Sequence, residues 1–192
     1  MNFSPAYITA LLVNPLRYLY SKCSHEELRW DPDVKITGLE IDSINNFHKI
    51  AIQEKPRILI SRGQYTVLGS GLTDNMAESK TVKEAAGLKD RINFILIEGL
   101  SQVMVEARAE GTCEKLVDLT SHYIAWAAPA ICDTMGFKNF ANNLAISPCT
   151  PSKENTEIFS CTINIPWRKE EQWKVQSDGI DLKNFLLSIE KL

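Results

Sequence analysis

The sequence predicts an α/β (α+β) fold, an antiparallel-rich mixed sheet with a central helix packed on one face and further helices near both ends. Three observations support this prediction. Residues Ile92 to Ala107 are rich in Ile, Val, Leu and Phe, most of which favour strands. A helical period follows at once from Thr112 to Trp126. Apolar and polar residues then alternate from Phe159 to Trp167, which is typical of a half-buried strand.

The central strand is longer than a small sheet requires. At about 3.3 Å per residue, Ile92–Ala107 would span roughly 53 Å, whereas most strands have about five or six residues. We therefore expect either a bend at Gly99 or pairing of one end outside the domain. In the helix, Pro129 should form a kink, an end or a new first turn. The predicted core consists of Val103, Val105, Leu116, Val117, Ile124, Ile163 and Ile165.

The N-terminal half is predicted to begin with a helix over residues 4–20, which Pro15 interrupts or kinks. Strands are expected at 34–41 and around 48–52. Residues 55–71 are predicted to form a hairpin that turns at Ser61–Gln64, and 72–90 an exposed loop.

The C-terminal half is predicted to contain a short strand at 144–147. Pro166 should mark a sheet edge or the end of its strand, and residues 179–192 should form an amphipathic helix. The whole chain is predicted to be one domain. It has a helical extension at 1–30, a core at 31–175 and the C-terminal helix within 176–192.

Composition excludes several classes of function. The net charge of −3 over 192 residues argues against sequence-specific nucleic-acid binding, and no apolar run reaches the roughly 18 residues of a membrane span. The five cysteines form no CxxC pair, so we interpret them as reduced, small hydrophobic residues and expect no metal site.

A catalytic group is not evident in the sequence. Cys113, His122 and Asp118 contain the residue types of a nucleophile, a base and an orienting acid. Cys113 and His122, however, lie nine residues apart on one predicted helix, which separates them by roughly 13 Å. The sequence therefore predicts no catalytic or cofactor-binding residue, no cofactor and no enzymatic activity.

The order of elements resembles that of the tail-terminator and neck proteins of tailed bacteriophages. The matching stretches are KPRILISRG, INFILIEGLSQVMVEARAEG followed by TCEKLVDLTSHYIAWA, and EIFSCTINIPWRKEEQW. The resemblance implies a structural virion protein that forms a homohexameric ring, caps the tail tube and joins it to the head. Its partners would be other neck and tail-tube proteins, and it would reach the virion neck after synthesis in the host cytoplasm.

The alternatives are a head-closure or connector adaptor, another non-catalytic assembly protein such as a cytosolic scaffold, and a small hydrolase. An assembly protein needs contact surfaces, and the long polar loop and the tryptophan-flanked charged strand end are the candidates. The predicted contact residues are Leu72, Asp74, Asn75, Met76, Lys80, Lys83, Trp167, Arg168 and Trp173.

Overall fold

The computed structural model describes residues 6–44, 55–68, 81–83, 89–152 and 156–175. In these ranges the chain forms helix α1 (Ala6–Ser21), a short 3-10 turn at Glu26–Leu28 and helix α2 (Glu110–Met135). The strands are β1 (Glu40–Ser43), β2 (Arg57–Leu68), β3 (Thr81–Lys83), β4 (Lys89–Ala107), β5 (Phe137–Phe140), β6 (Ala145–Ile146), β7 (Thr150–Pro151) and β8 (Phe159–Val175). No helix within the described ranges is both long and apolar enough to cross a membrane.

The strands form one mixed sheet, which confirms the predicted fold class. The order is β1-β2-β4-β8-β5, with β3 beside β4 and with β6 and β7 beside β8. Strand β1 runs parallel to β2, whereas β3 is antiparallel to β4, and β5, β6 and β7 are antiparallel to β8.

The described chain divides into two compact units. The division of the sequence into one domain with helical ends stays a prediction. The larger unit combines Met1–Thr66 with Ile97–Lys169 and contains both described helices. The smaller unit combines Val67–Leu96 with Glu170–Leu192, and its described part includes the antiparallel pair β3 and β4 at Thr81–Arg91. The core and the candidate site described below both lie in the larger unit.

The core of the larger unit lies between the sheet and the two helices. The Tyr20 hydroxyl of α1 lies 2.8 Å from the Thr120 hydroxyl of α2, inside the helix interface. Helix α2 contacts β4 where the Cys113 thiol approaches the Val105 carbonyl. All the core residues predicted from periodicity are buried, which confirms the assignment of faces: Val103, Val105, Leu116, Val117, Ile124, Ile163 and Ile165.

The opposite face of the larger unit's sheet has polar pairs. Because side chains alternate along a strand, Gln102 points away from Val103. Its amide donates to the Asn164 side chain at 3.1 Å, and Arg168 forms an ion pair with Glu98 farther along the same two strands. The helices therefore cover one face of this unit, and cross-strand polar contacts occupy part of the other.

The predicted hairpin at 55–71 is wrong, because Arg57–Leu68 is one continuous strand. Gly63, which the prediction placed in a turn, lies instead where β2 comes close to the backbone of β4. A Cβ atom at Gly63 would overlap the Leu100 carbonyl. The glycine thus permits the close approach of two strands. In the sequence, a glycine in this role looks the same as a glycine in a turn.

Three prolines lie inside regular elements. Helix α1 continues through Pro15, and helix α2 continues through Pro129 to Met135, so neither proline ends its helix or begins a new one, and a kink at either stays a prediction. Pro166 lies inside β8, beside the point where β5 has ended. There Ala141 adopts a left-handed conformation (φ 57°) and its N–H donates to the Pro166 carbonyl. Pro166 therefore neither ends β8 nor places it at the sheet edge.

Several other boundaries differ. The strand expected at 34–41 is confined to Glu40–Ser43, because a turn fixed by the Asp33 carbonyl precedes it. Strand β4 runs without interruption through Gly99. The strand predicted around 48–52 and the helix predicted at 179–192 lie outside the described residues, as does most of the 72–90 loop.

Candidate functional site

The candidate site begins at a β-bulge opposite β8. Ala145 and Ile146 of β6 pair with Asn164 and Ile163, and Thr150 and Pro151 of β7 pair with Ser160 and Phe159. Between these pairs, residues 147–149 face only residues 161–162, so three residues oppose two and the register shifts by one. Such a bulge re-aims a side chain, and bulges are frequent beside active sites.

Hydrogen bonds to β8 hold the bulge at both ends. The Ser147 N–H donates to the Thr162 carbonyl, and the Thr162 N–H donates to the Ser147 hydroxyl, both at 2.9 Å. Beyond β7, the Ser152 N–H donates to the Ile158 carbonyl at 2.7 Å. The residue between these anchors that carries a reactive side chain is Cys149.

Three thiols meet at this bulge, and we call Cys113, Cys149 and Cys161 the thiol cluster. The sulfur of Cys149 lies 3.4 Å from that of Cys113, which occupies the first turn of α2. The Cys161 thiol donates to the Ser147 carbonyl at 2.9 Å. Cys113 and Cys161 are buried, whereas Cys149 is partly exposed. Cys149 is therefore the member of the cluster that solvent or a substrate can reach.

The two buried thiols are held in their protonated form. Burial raises the pKa of Cys113, and the hydrogen bond and proximity to Cys149 raise it further. Burial likewise raises the pKa of Cys161, although the Ser147 hydroxyl, which donates to the Cys161 sulfur, acts in the opposite direction. Because the thiolate is the nucleophilic form, neither Cys113 nor Cys161 is suited to attack a substrate.

The histidines in the described ranges do not join the cluster. The His122 ring is 77% exposed and lies 3.1 Å from Asp118, one helical turn away. His25 precedes the 3-10 turn and makes no side-chain capping bond. The third histidine, His48, lies outside the described residues. The predicted separation of Cys113 from His122 is thus retained in the structure, since one is buried and the other exposed.

Within the described residues, no group of three or more His, Cys, Asp or Glu side chains could hold a metal ion. The cysteines of the thiol cluster are free, and free thiols can act as nucleophiles or be oxidised.

A polar cleft of about 620 Å³ lies elsewhere in the larger unit, between α1, the end of β1 and β2. Arg17 spans part of it, because its guanidinium pairs with Asp42 at 3.3 Å and donates to the Ile41 carbonyl at 2.9 Å. The cleft has no thiol in its lining, which is formed by Thr9, Ala10, Val13, Asn14, Arg17, Asp42, Ser43, Ile44, Ser61 and Arg62.

Within the part of the chain that the structure describes, the predicted contact residues do not form one continuous surface. Trp167 is only 2% exposed and packs edge-to-face against Phe137, whereas Arg168 is more exposed and pairs with Glu98. The side chains of Lys83 and Trp173 lie outside the described part, as do residues Leu72, Asp74, Asn75, Met76 and Lys80 entirely. Contact of these residues with a partner, and association of the chain with copies of itself, stay predictions.

The fold and the cluster define an α+β protein with an accessible thiol held on a β-bulge. A family model described as phytochelatin synthase matches residues 88–191, more than half of the chain, and the protein therefore belongs to this family. All three thiols of the cluster lie inside the matched region. Comparison with curated protein sequences finds no significant match.

The family match shows that the resemblance to phage tail-terminator and neck proteins is wrong. The predictions of a structural role at the virion neck, of a location in the virion and of a chain without enzymatic activity are wrong with it. The small-hydrolase alternative agrees better with the family. The error arose because an order of helices and strands defines a fold class, and one fold class supports many unrelated functions.

Sequence reasoning missed the thiol cluster. It treated the cysteines as separate core residues, because Cys113, Cys149 and Cys161 are far apart in the chain. The available local signal was Pro148, which directly precedes Cys149 and lies in the stretch where regular strand pairing is interrupted.

Proposed function

We propose that this protein is an enzyme that transfers or hydrolyses acyl groups of thiol-containing peptides, with Cys149 as its nucleophile. The main support is that the family match encloses the bulge on which the partly exposed Cys149 lies. Members of the family are γ-glutamylcysteine dipeptidyl transpeptidases, so peptides that begin with γ-glutamylcysteine are the proposed substrate class.

Cys149 is favoured over the other cysteines of the matched region by access and by position. Cys113 and Cys161 are buried, so a peptide carbonyl cannot reach them without movement of the bulge. Cys132 is partly exposed but lies in the last turns of α2, where the negative end of the helix dipole disfavours a thiolate. Burial also raises the pKa of Cys132.

The proposed reaction has two steps. The Cys149 thiolate attacks the carbonyl carbon of the cysteinyl residue, and the amide bond to the following residue breaks as the leaving amine takes up a proton. The γ-glutamylcysteinyl group is then held as a thioester on Cys149. An amine of a second peptide, or water, attacks the thioester, forms an amide or an acid, and restores the thiol.

The arrangement of the bulge supports the positioning part of this reaction. The hydrogen bonds of Ser147 to β8 and of Ser152 to Ile158, the residue before β8, restrict the backbone on either side of Cys149. A restricted nucleophile loses less conformational freedom on reaching the attacking geometry, which lowers the barrier. We assign the role of proton acceptor in this reaction to neither of the described histidines. The His122 ring bonds to Asp118, and His25 precedes the 3-10 turn.

The proposal is tested by incubating the reduced full-length protein with γ-glutamylcysteinyl-glycine and identifying products by mass spectrometry. Transfer should give a peptide with one added γ-glutamylcysteine unit and free glycine, whereas hydrolysis should give γ-glutamylcysteine and free glycine. The Cys149→Ser variant should lose at least about 100-fold in rate, because a hydroxyl is a far weaker nucleophile at neutral pH.

Cys132→Ser is the matched control, since this cysteine is also partly exposed and lies in the matched region but outside the cluster. It should retain the wild-type rate. If the wild-type protein releases no glycine, the proposed activity is wrong. If Cys149→Ser and Cys132→Ser are equally active, the activity stands and the assignment of the nucleophile is wrong.

A further inference from the structure

We propose that Cys113 and Cys149 form a reversible disulfide when the protein meets a small-molecule disulfide, so that Cys149 is a redox modification site. The observation is the contact of their sulfur atoms at 3.4 Å, with one thiol buried in helix α2 and the other on the bulge. This inference does not depend on the proposed catalytic role, because it concerns the thiols themselves.

The required movement is small. A disulfide bond is about 2.04 Å long, so the two sulfur atoms must approach by roughly 1.4 Å. Cys113 is fixed by its helix and lies against the Val105 carbonyl, whereas Cys149 is flanked by the exposed residues Pro148 and Thr150. The bulge can therefore move toward the helix without unpacking core side chains.

The order of events follows from access. The Cys149 thiolate attacks one sulfur of the small disulfide, whose other half leaves as a thiolate and takes up a proton. This step gives a mixed disulfide on Cys149. The Cys113 thiol then loses its proton and attacks the Cys149 sulfur, which releases the second small thiol. In total, the protein loses two electrons and two protons, and the small disulfide is reduced to two thiols.

The second step should be the slower one near neutral pH. Burial and the neighbouring Cys149 raise the pKa of Cys113, so little of it is present as thiolate until the pH rises. The mixed disulfide should therefore accumulate transiently at neutral pH and convert faster in alkaline solution. A disulfide would remove the accessible thiol of the cluster, and a small thiol in excess would restore it.

Cys161 is the other thiol of the cluster that could compete with Cys113 for the bond to Cys149. It belongs to the same cluster, but its thiol donates to the carbonyl of Ser147, the first residue of the bulge, at 2.9 Å. The structure therefore favours Cys113 as the resolving thiol, and the two possible pairs can be separated by peptide mapping.

The experiment treats the reduced full-length protein with oxidised glutathione and follows intact mass and linked peptides with time. In the wild type a glutathione adduct should first form on Cys149 and then disappear as a peptide pair joined through Cys113 and Cys149 appears, which dithiothreitol separates. Cys113→Ser should stop at the glutathione adduct, Cys149→Ser should form neither product, and Cys161→Ser should behave as the wild type.

The wild-type map alone can overturn the inference. A Cys149–Cys161 link, a glutathione adduct that persists on Cys149 without an internal bond, or a Cys149 that stays unmodified would each contradict it. If Cys113→Ser does not fold, as judged by circular dichroism, Cys113→Ala replaces it, and the wild-type result still decides the pairing.

Discussion

Gly99 of β4 lies against the indole ring of Trp167 of β8, so close that a Cβ atom at residue 99 would overlap the ring. Trp167 is 2% exposed and also packs edge-to-face against Phe137 of β5. The glycine therefore makes room for the ring within the sheet, and β4 continues through it without interruption. The same contact explains why Trp167, which the sequence presented as a candidate partner contact, fills the core of its own unit.

Replacement of Gly99 by alanine should destabilise the protein, because the ring is enclosed and cannot move aside freely. We expect a loss of about 1–3 kcal/mol in the free energy of unfolding, measured by urea denaturation. Gly111→Ala is the matched control, since nothing lies within 4 Å of a Cβ there and α2 favours alanine. Equal stabilities of the two variants would contradict the described packing.

Sequence analysis predicted well the elements in which the spacing of apolar residues corresponds directly to the side chains that are buried. The alternation Cys161, Ile163, Ile165 in β8 and the stripe Leu116, Val117, Ile124 in α2 both face the core. The pattern in such segments is determined by which side chains leave water, so it can be interpreted without knowing neighbouring strands.

The predictions that were wrong or incomplete concern residues whose positions depend on contacts with strands far away in the sequence. Gly63 has the sequence pattern of a turn but lies in a strand beside the Leu100 carbonyl, a contact that only the paired strands create. Cys149 reaches Cys113 through a one-residue register shift opposite β8. A local pattern does not specify register between strands far apart in sequence, so the cluster could not be predicted from it.

The packing of α2 should be sensitive on one face only. Leu116→Ala should lower the free energy of unfolding by about 2–5 kcal/mol, because its side chain is fully buried. Leu119→Ala on the same helix is 40% exposed and should cost less than about 1 kcal/mol. Denaturation of both variants measures the difference, and a larger loss at Leu119 would mean that the faces of α2 are reversed.

The free energy of unfolding should fall in alkaline solution because the Tyr20 hydroxyl is buried. Burial raises the pKa of Tyr20 from 10.0 to about 12, although the hydrogen bond with Thr120 acts to lower it. The unfolded chain therefore loses this proton first. The stabilisation is complete below about pH 10 and is lost as the pH rises to about 12, by roughly 2–3 kcal/mol.

Urea unfolding of the wild type and Tyr20→Phe across this pH window isolates the effect. Below about pH 10, Tyr20→Phe should be less stable by about 1–3 kcal/mol, because it leaves the Thr120 hydroxyl without its buried partner. The difference should shrink as the pH approaches about 12. A difference that stays constant over this range would show that Tyr20 titrates alike in the folded and unfolded chains.

The cysteines should differ in their rates of alkylation by iodoacetamide in the native protein. Cys23, Cys132 and Cys149 are partly exposed and should react, whereas the buried Cys113 and Cys161 should be protected. Burial raises the pKa of both protected thiols, so their labelling should increase at a higher pH than that of the partly exposed thiols. All five should react after unfolding. Native labelling of Cys113 as fast as that of Cys23 would contradict its burial.

The most direct test of the proposed function is the mass of the intact protein shortly after mixing with γ-glutamylcysteinyl-glycine. The account predicts a γ-glutamylcysteinyl adduct that maps to Cys149, is removed by hydroxylamine as a thioester should be, and appears together with one equivalent of glycine. Cys149→Ser should show no adduct. Glycine release without an adduct in either protein, or an adduct on Cys132 instead, would contradict the central claim that Cys149 is the nucleophile.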